Sequence, residues 1–368
     1  MRVAGAEFNL RELAGSMGDF GTLLPLAIGY ITVCGMNPTG LLVMMGLANI
    51  ATGLVYRLPM PIEPMKVLAI MAIAQAWSPE KVYTSGIVMG VIWLGMGITG
   101  VMSHIARWTP KTVATGIQIS LGFLLAFEGI KFISGWWLLG LISLIIIIIL
   151  RDNRYFPAAI VLVILGIVIM AIKGDLLNTD YQGITLPALV NVRREFIWPV
   201  LRDGGLAQIP LTATNAVIAT SALISQYWPN RRVSERQLSI NMGLMNLTLP
   251  FFGGMPLCHG AGGLAGQYFF GARTAGANIL EGLIEISLGL FLGASIAALF
   301  AAFPMAIVGA MMLMVGFELM KFAKGLRMDK QLATVIVTVT GSLLWNMAAG
   351  FLVGMVVHYI LLHEEKPK

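Results

Sequence analysis

Two interrupted stretches carry the residues most able to do chemistry. The first reads Arg57-Leu58-Pro59-Met60-Pro61-Ile62-Glu63-Pro64-Met65-Lys66. Proline lacks an N–H and pushes its predecessor away from the helical region, so this run forbids a regular helix. The chain is expected to run extended from about Leu58 to Glu63, with Pro64 as the first helical residue of a half-helix reaching about Ala76. The second stretch reads Gly253-Gly254-Met255-Pro256-Leu257-Cys258-His259-Gly260-Ala261-Gly262-Gly263-Leu264-Ala265-Gly266-Gln267. Here an extended run should feed a half-helix starting near Gly260. A helix start offers unpaired N–H donors and about half a positive charge. Two such ends facing one cavity would bind an anion, and glycines let it approach the bare backbone. The candidate backbone donors lie at Pro64, Met65 and Lys66 and at His259, Gly260, Ala261, Gly262 and Gly263. The Lys66 ammonium would add a full positive charge. The competing reading of the two interruptions is a Pro/Gly packing kink, against which their recurrence at matching positions weighs, and that of Lys66 is a lysine that snorkels to the interface.

Other polar residues in apolar surroundings have two readings each. Glu63 is either the charge partner that makes Lys66 tolerable or a proton carrier coupled to substrate. His259, the only histidine in mid-segment, is a core histidine or a second proton-carrier candidate. Asp19, Thr22, Gln208, Thr212, Thr214 and Asn215 could hydrogen-bond a ligand or a neighbouring helix. Glu281 and Glu285 share a helix face and, with Glu318, read as structural or interface pairing. A Gly-Lys-Ser/Thr phosphate loop, a His-Glu-x-x-His pair and a catalytic Ser/His or carboxylate spacing are all absent from the sequence. Cys34 and Cys258 make no metal spacing and no disulfide framework. No enzyme, cofactor or metal is expected.

The elements that must position these residues are membrane helices. The chain is 57% hydrophobic and 11% charged, where a soluble domain carries about 25% charge. Mean hydropathy is +0.83. Apolar blocks recur throughout, so the expectation is an all-α polytopic protein in the lipid bilayer with no soluble domain, including after Leu362. Met1–Glu12 lacks the layout of a cleaved signal peptide. The net charge of +6 fits loop cations that set topology rather than nucleic acid. Charge, Pro and Gly divide the chain into about fourteen segments, near 16–34, 40–56, 58–76, 82–103, 110–128, 136–150, 156–172, 203–227, 236–251, 255–271, 278–300, 304–321, 331–345 and 347–362. With the N-terminus inside, only Lys81, Lys131, Lys173, Arg193, Arg194 and Arg202 fall outside, and every other cation except Lys66 falls inside. That bias predicts a cell (inner) membrane protein with both termini cytoplasmic.

The halves echo each other. Asp19-Phe20-Gly21-Thr22-Leu23-Leu24-Pro25-Leu26 resembles Gly204-Gly205-Leu206-Ala207-Gln208-Ile209-Pro210-Leu211. Met60-Pro61-Ile62 resembles Met255-Pro256-Leu257, and Pro110, Gly122 and Phe123 match Pro304, Gly316 and Phe317. Matches in one order at nearly constant shift predict two seven-segment repeats, 1–190 and 191–368. Because seven is odd, the second is inverted.

Three stretches carry a family resemblance: Gly18-Asp19-Phe20-Gly21-Thr22, Pro59 to Lys66, and Pro256 to Tyr268 continuing through Phe270-Gly271-Ala272-Arg273-Thr274. They resemble the molybdate transporter family, a branch related to the sulfate permeases that lacks their cytoplasmic C-terminal regulatory domain. The family often carries Gln where this chain has Glu63, so the acid bears on substrate charge and coupling. The resemblance implies the sulfate permease and nucleobase transporter fold. In that fold a core domain (about 13–103 and 203–300) holds substrate and moves like an elevator against a gate domain (about 104–172 and 304–362). It also implies a homodimer through the gate. The resulting expectation is secondary uptake of molybdate, a tetrahedral dianion, coupled to protons through Glu63 or His259. The alternatives are transport of sulfate or another small anion, and an anion channel.

Overall fold

The computed structural model describes residues 2–3, 6–150, 153, 155–176, 184–293, 295–323 and 330–362. The chain is mostly helical. Its elements are β1 (Arg2–Val3), β2 (Ala6–Glu7), α1 (Leu10–Gly15), α2 (Phe20–Thr32), α3 (Pro38–Tyr56), β3 (Glu63–Pro64), α4 (Lys66–Ala74), α5 (Pro79–Thr99), α6 (Val101–Trp108), α7 (Lys111–Ser134), α8 (Trp137–Leu150) and α9 (Ala158–Lys173). A continuous helix α10 (Arg194–Tyr227) follows. Then come α11 (Glu235–Thr248), β4 (Leu257–Cys258), α12 (Ala261–Phe270), α13 (Gly276–Leu292), α14 (Ile296–Ala302), α15 (Met305–Met320), α16 (Lys330–Leu344) and α17 (Met347–Leu362). Among these, α3, α5, α7 and α10 are each long and apolar enough to cross a membrane alone.

Local chemistry sets many of the boundaries. Asn37 caps α3 through Gly40 N–H, and Ser78 caps α5 through Lys81 N–H, each followed by Pro at the first helical position. Ser234 and Gln237 form a reciprocal capping box on α11. The helix α10 begins at Arg194, well before the expected start near 203. Pro210 cannot complete the ladder inside it, and the helix widens into π turns at Leu201–Gly205 and Ala213–Ala219.

Both expected interruptions are real breaks. Arg57 ends α3 at φ 54, and Gly253 turns the chain after α11 at φ 86. Each break then runs extended into a two-residue strand, and β3 pairs antiparallel with β4, Glu63 opposite Cys258 and Pro64 opposite Leu257. Pro64 is therefore a strand residue, and α4 starts two positions later, because Pro64 is paired to Leu257 and Met65 N–H donates to Pro256 O (2.9 Å).

Helices pack in matched pairs: α3 on α13 and α5 on α11, α8 on α15 and α16 on α7, α9 on α15 and α17 on α7, with α7 on α15 between them. Small residues allow this approach. A Cβ on Gly122 would lie 2.7 Å from Gly316 O, and one on Gly129 2.6 Å from Gly309 O. The N-terminal segment docks separately. The Glu12 carboxylate accepts N–H bonds from Arg273, Thr274 and Ala277, each at 3.1 Å, at the start of α13. Burial raises the Glu12 pKa, against the pull of those donors. Replacing Gly122 by Val should destabilise the protein by ~1–3 kcal/mol through overpacking. Gly95→Val, where an added Cβ meets nothing within 4 Å, should change little. Thermal unfolding in detergent compares the two, and equal effects would contradict the packing.

Candidate anion site between two half-helices

Non-helical backbone in a membrane protein must find its partners inside the protein. Two asparagines supply them here. Asn278 on α13 accepts from Met60 N–H (2.8 Å) and donates to Met60 O (2.5 Å). Asn246 on α11 accepts from Leu257 N–H (2.8 Å) and donates to Leu257 O (2.6 Å). Each amide replaces a strand neighbour for one residue. His259 ties the two breaks together, its Nδ1 lying 3.2 Å from Pro61 O and its ring edge-on to Tyr56.

The half-helix ends are capped from α10. Gln208 Oε1 accepts from Val67 N–H (2.8 Å) and Leu68 N–H (3.3 Å), and Asn215 Oδ1 accepts from Ala261 N–H (3.2 Å). Gln208 is fixed in turn by Thr212 at 2.6 Å. The wide turn Ala213–Ala219 carries Asn215. These two residues, read from sequence as partners either of a ligand or of a neighbouring helix, bond the helix starts here. The Met65 N–H is likewise committed, and Pro64 has none. The Gly262 and Gly263 amides lie in the first turn of α12, and no hydrogen bond from them is found among the described residues.

Glu63 joins the two ends. Its Oε2 is 3.2 Å from Lys66 Nζ, and its side chain is 1% exposed against 25% for the lysine. On the other side the carboxylate rests on α12: a Cβ on Gly260 would lie 2.5 Å from Oε2, and one on Gly263 would collide with Oε1. Glycine is required at both positions for this approach. Asp19, at the start of α2, is buried beside them and close to Glu281. A small cavity of about 10 Å³ adjoins this cluster, lined by Gly18, Asp19, Gly262 and Gly263, with Leu125 of α7 and Met311 of α15 opposite.

The structure thus brings Asp19, Glu63, Lys66, His259, Gly260 and Gly263 together, with Ala261 and Gly262 in the same turn. Gln208 and Asn215 stand one step behind. Thr22 lies on α2, but its side chain is outside the described residues. Sequence reasoning missed the asparagines. Glu285 accepts from Asn49 (2.8 Å), Asn278 donates to Asn49 (2.9 Å), and Glu281 accepts from Gln267 (3.0 Å). Polar residues within apolar segments were the available signal. At the far end of α12, Arg11, Arg273, Lys321 and Glu318 line a second cavity of about 110 Å³. Gln208→Leu should leave two backbone donors without their cap, at a cost of ~1–3 kcal/mol, and speed hydrogen exchange at 67–68. Unchanged exchange there would refute the capping role.

Two antiparallel short strands, each leading into a half-helix among apolar helices, make a membrane-protein fold that solved structures share. The chain matches SLC26A9 at TM-score 0.64 and 13% identity, covering 98% of this chain and 66% of that one. It matches the transmembrane domain of the cyanobacterial bicarbonate transporter BicA at TM-score 0.54 and 16% identity, covering 96% of each. Residues 11–125 and 201–319 match the family described as "Molybdate transporter of MFS superfamily". Molybdate transporters 1 and 2 of Arabidopsis thaliana are each 30% identical to it, over 96% and 95% of this chain and 88% and 87% of their own lengths. Molybdate transporter 1 of Chlamydomonas reinhardtii is 27% identical over 96% of this chain. The chain belongs to the molybdate transporter family, and it is a multi-pass membrane transporter rather than an enzyme.

Proposed function

We propose that this chain is a secondary active transporter that takes up molybdate, binding it between the starts of α4 and α12. One observation carries the reading: two half-helix N-termini meet across a strand pair, with the Lys66 ammonium beside them. Positive helix ends and a cation in a site sheltered from bulk water favour a compact anion. The Gly262 and Gly263 amides would take oxygens from one side and Lys66 from the other. Gln208 and Asn215 position the helix ends rather than touch substrate.

The same reading extends to architecture and energy source. Fourteen passes in two inverted repeats are supported by the exchange of helix contacts. Swapping α3 for α11 and α13 for α5 turns one packed pair into the other, and α8–α15 maps likewise onto α16–α7. Residues 13–103 and 203–300 form the core and 104–172 and 304–362 the gate, with elevator-like movement between them and a dimer through the gate. Both termini face the cytoplasm across the cell (inner) membrane. Uptake is driven by protons, with Glu63 and His259 the carrier candidates.

Lys66→Ala should weaken molybdate binding strongly, by tenfold or more (~1.4 kcal/mol), while the protein still inserts and folds, with a lower unfolding temperature because buried Glu63 loses its ion-pair partner. Calorimetry with molybdate and sulfate reads both affinity and selectivity. Unchanged affinity removes the lysine from the site, and tighter sulfate binding changes the substrate. Equal uptake into proteoliposomes with and without a pH gradient rejects proton coupling.

A further inference from the structure

We propose that the Glu63 carboxylate is a tethered anion seated where the transported oxyanion binds, and that it yields the seat by taking up a proton. The proposal rests on the anion site described above and adds how that site is emptied and filled.

The carboxylate already occupies space an oxyanion would need, beside the Lys66 ammonium and against the α12 glycines, without accepting from their amides. Oε2 is 3.2 Å from the Lys66 ammonium. The same group lies on the first turn of α12, against Gly260 and Gly263, where any side chain would collide with it. It is 1% exposed, and neither oxygen has a hydrogen-bond partner among the described residues. A buried carboxylate held by one ammonium and no hydrogen bond is poorly satisfied. Its pose is explained by the seat, not by bonds of its own. The adjoining cavity of about 10 Å³ is near the ~10–15 Å³ minimum for one water, so a tetrahedral oxyanion enters only when the carboxylate withdraws.

The surroundings dictate what the withdrawn group must do. The charged and titratable groups around Glu63 are Lys66 on its own segment, Asp19 on α2 with Glu281 of α13 behind it, Cys258 across the strand pair, and His259. Lys66 is the only basic ion-pair partner of Glu63 among the described residues, and the dianion takes it. An ionised, displaced Glu63 would be a buried carboxylate without a counter-ion. It therefore takes one proton from the bulk solution on the side from which the substrate enters. One dianion and one proton enter together. When the dianion leaves on the other side, the proton leaves too, and the carboxylate returns to Lys66 and the glycines.

The test uses purified full-length protein and molybdate in calorimetry between about pH 6.5 and pH 8. Uptake of one proton per dianion makes wild-type affinity rise up to about tenfold per unit fall in pH. Glu63→Gln keeps the shape but removes both the competitor and the proton site. It should bind molybdate about tenfold or more tighter than wild type near pH 8, with no pH slope. In proteoliposomes it should exchange molybdate without accumulating it under a pH gradient. Glu63→Asp draws the acid back from Gly263, so it should bind tighter than wild type near pH 8 and keep the slope. That variant and the wild-type slope decide the matter should Glu63→Gln not fold. A flat wild-type profile, a slope retained in Glu63→Gln, or weaker binding by Glu63→Gln overturns the proposal. Wild-type protein that binds no tetrahedral oxyanion at any pH removes the functional reading itself, whereas binding without the slope removes only the tethered anion.

Discussion

Backbone N–H and C=O groups inside a membrane protein cannot turn to water, and every feature of the site follows from how two broken segments meet that demand. Each break leaves a few residues of extended chain. The two extended runs pair with each other at Glu63–Pro64 and Leu257–Cys258, and Asn278 and Asn246 satisfy Met60 and Leu257 as a further strand would. What remains of the demand sits at the helix starts, where Gln208 and Asn215 reach in from α10. Because the partners come from three other helices, α10, α11 and α13, the two starts cannot drift apart without exposing several buried donors at once.

That arrangement concentrates charge. The Lys66–Glu63 pair lies beside a small pocket lined by Asp19, Gly262 and Gly263. The glycines of α12 let a negative group rest on the helix itself. Across the pocket stand Leu125 and Met311, on the α7–α15 pair whose glycines bring backbone against backbone. Burial of the Glu63 carboxylate beside this apolar wall strengthens both the attraction for a cation and the penalty for an unpaired charge.

Much of this was legible in the residues. Pro59, Pro61 and Pro64 announced one break and the glycines after Pro256 the other, since both residue types act locally on the backbone. The match of Gly122 with Gly316 pointed to two glycines that touch across α7 and α15. What was not legible depends on partners distant in sequence. Pro64 suits a helix start by its own geometry, and only pairing with Leu257 makes it a strand residue. Gln208 and Asn215 were left between ligand and neighbouring helix because a buried amide in a membrane helix has no local clue to its partner. The role of Glu12, which binds a loop some 260 positions away, had no local signal either. The early start of α10 at Arg194 was hidden by the charged residues around it.

Locating molybdenum in the protein tests the central claim most directly. Crystals or cryo-EM samples soaked with molybdate, with the metal identified by its anomalous signal, place the ligand without any assumption about transport. The account predicts one dominant site between Lys66 and the first turn of α12, with Glu63 swung off Gly260 and Gly263. Molybdenum found only in the cavity lined by Arg11, Arg273 and Lys321, or found nowhere while the strand pair stays intact, would contradict it.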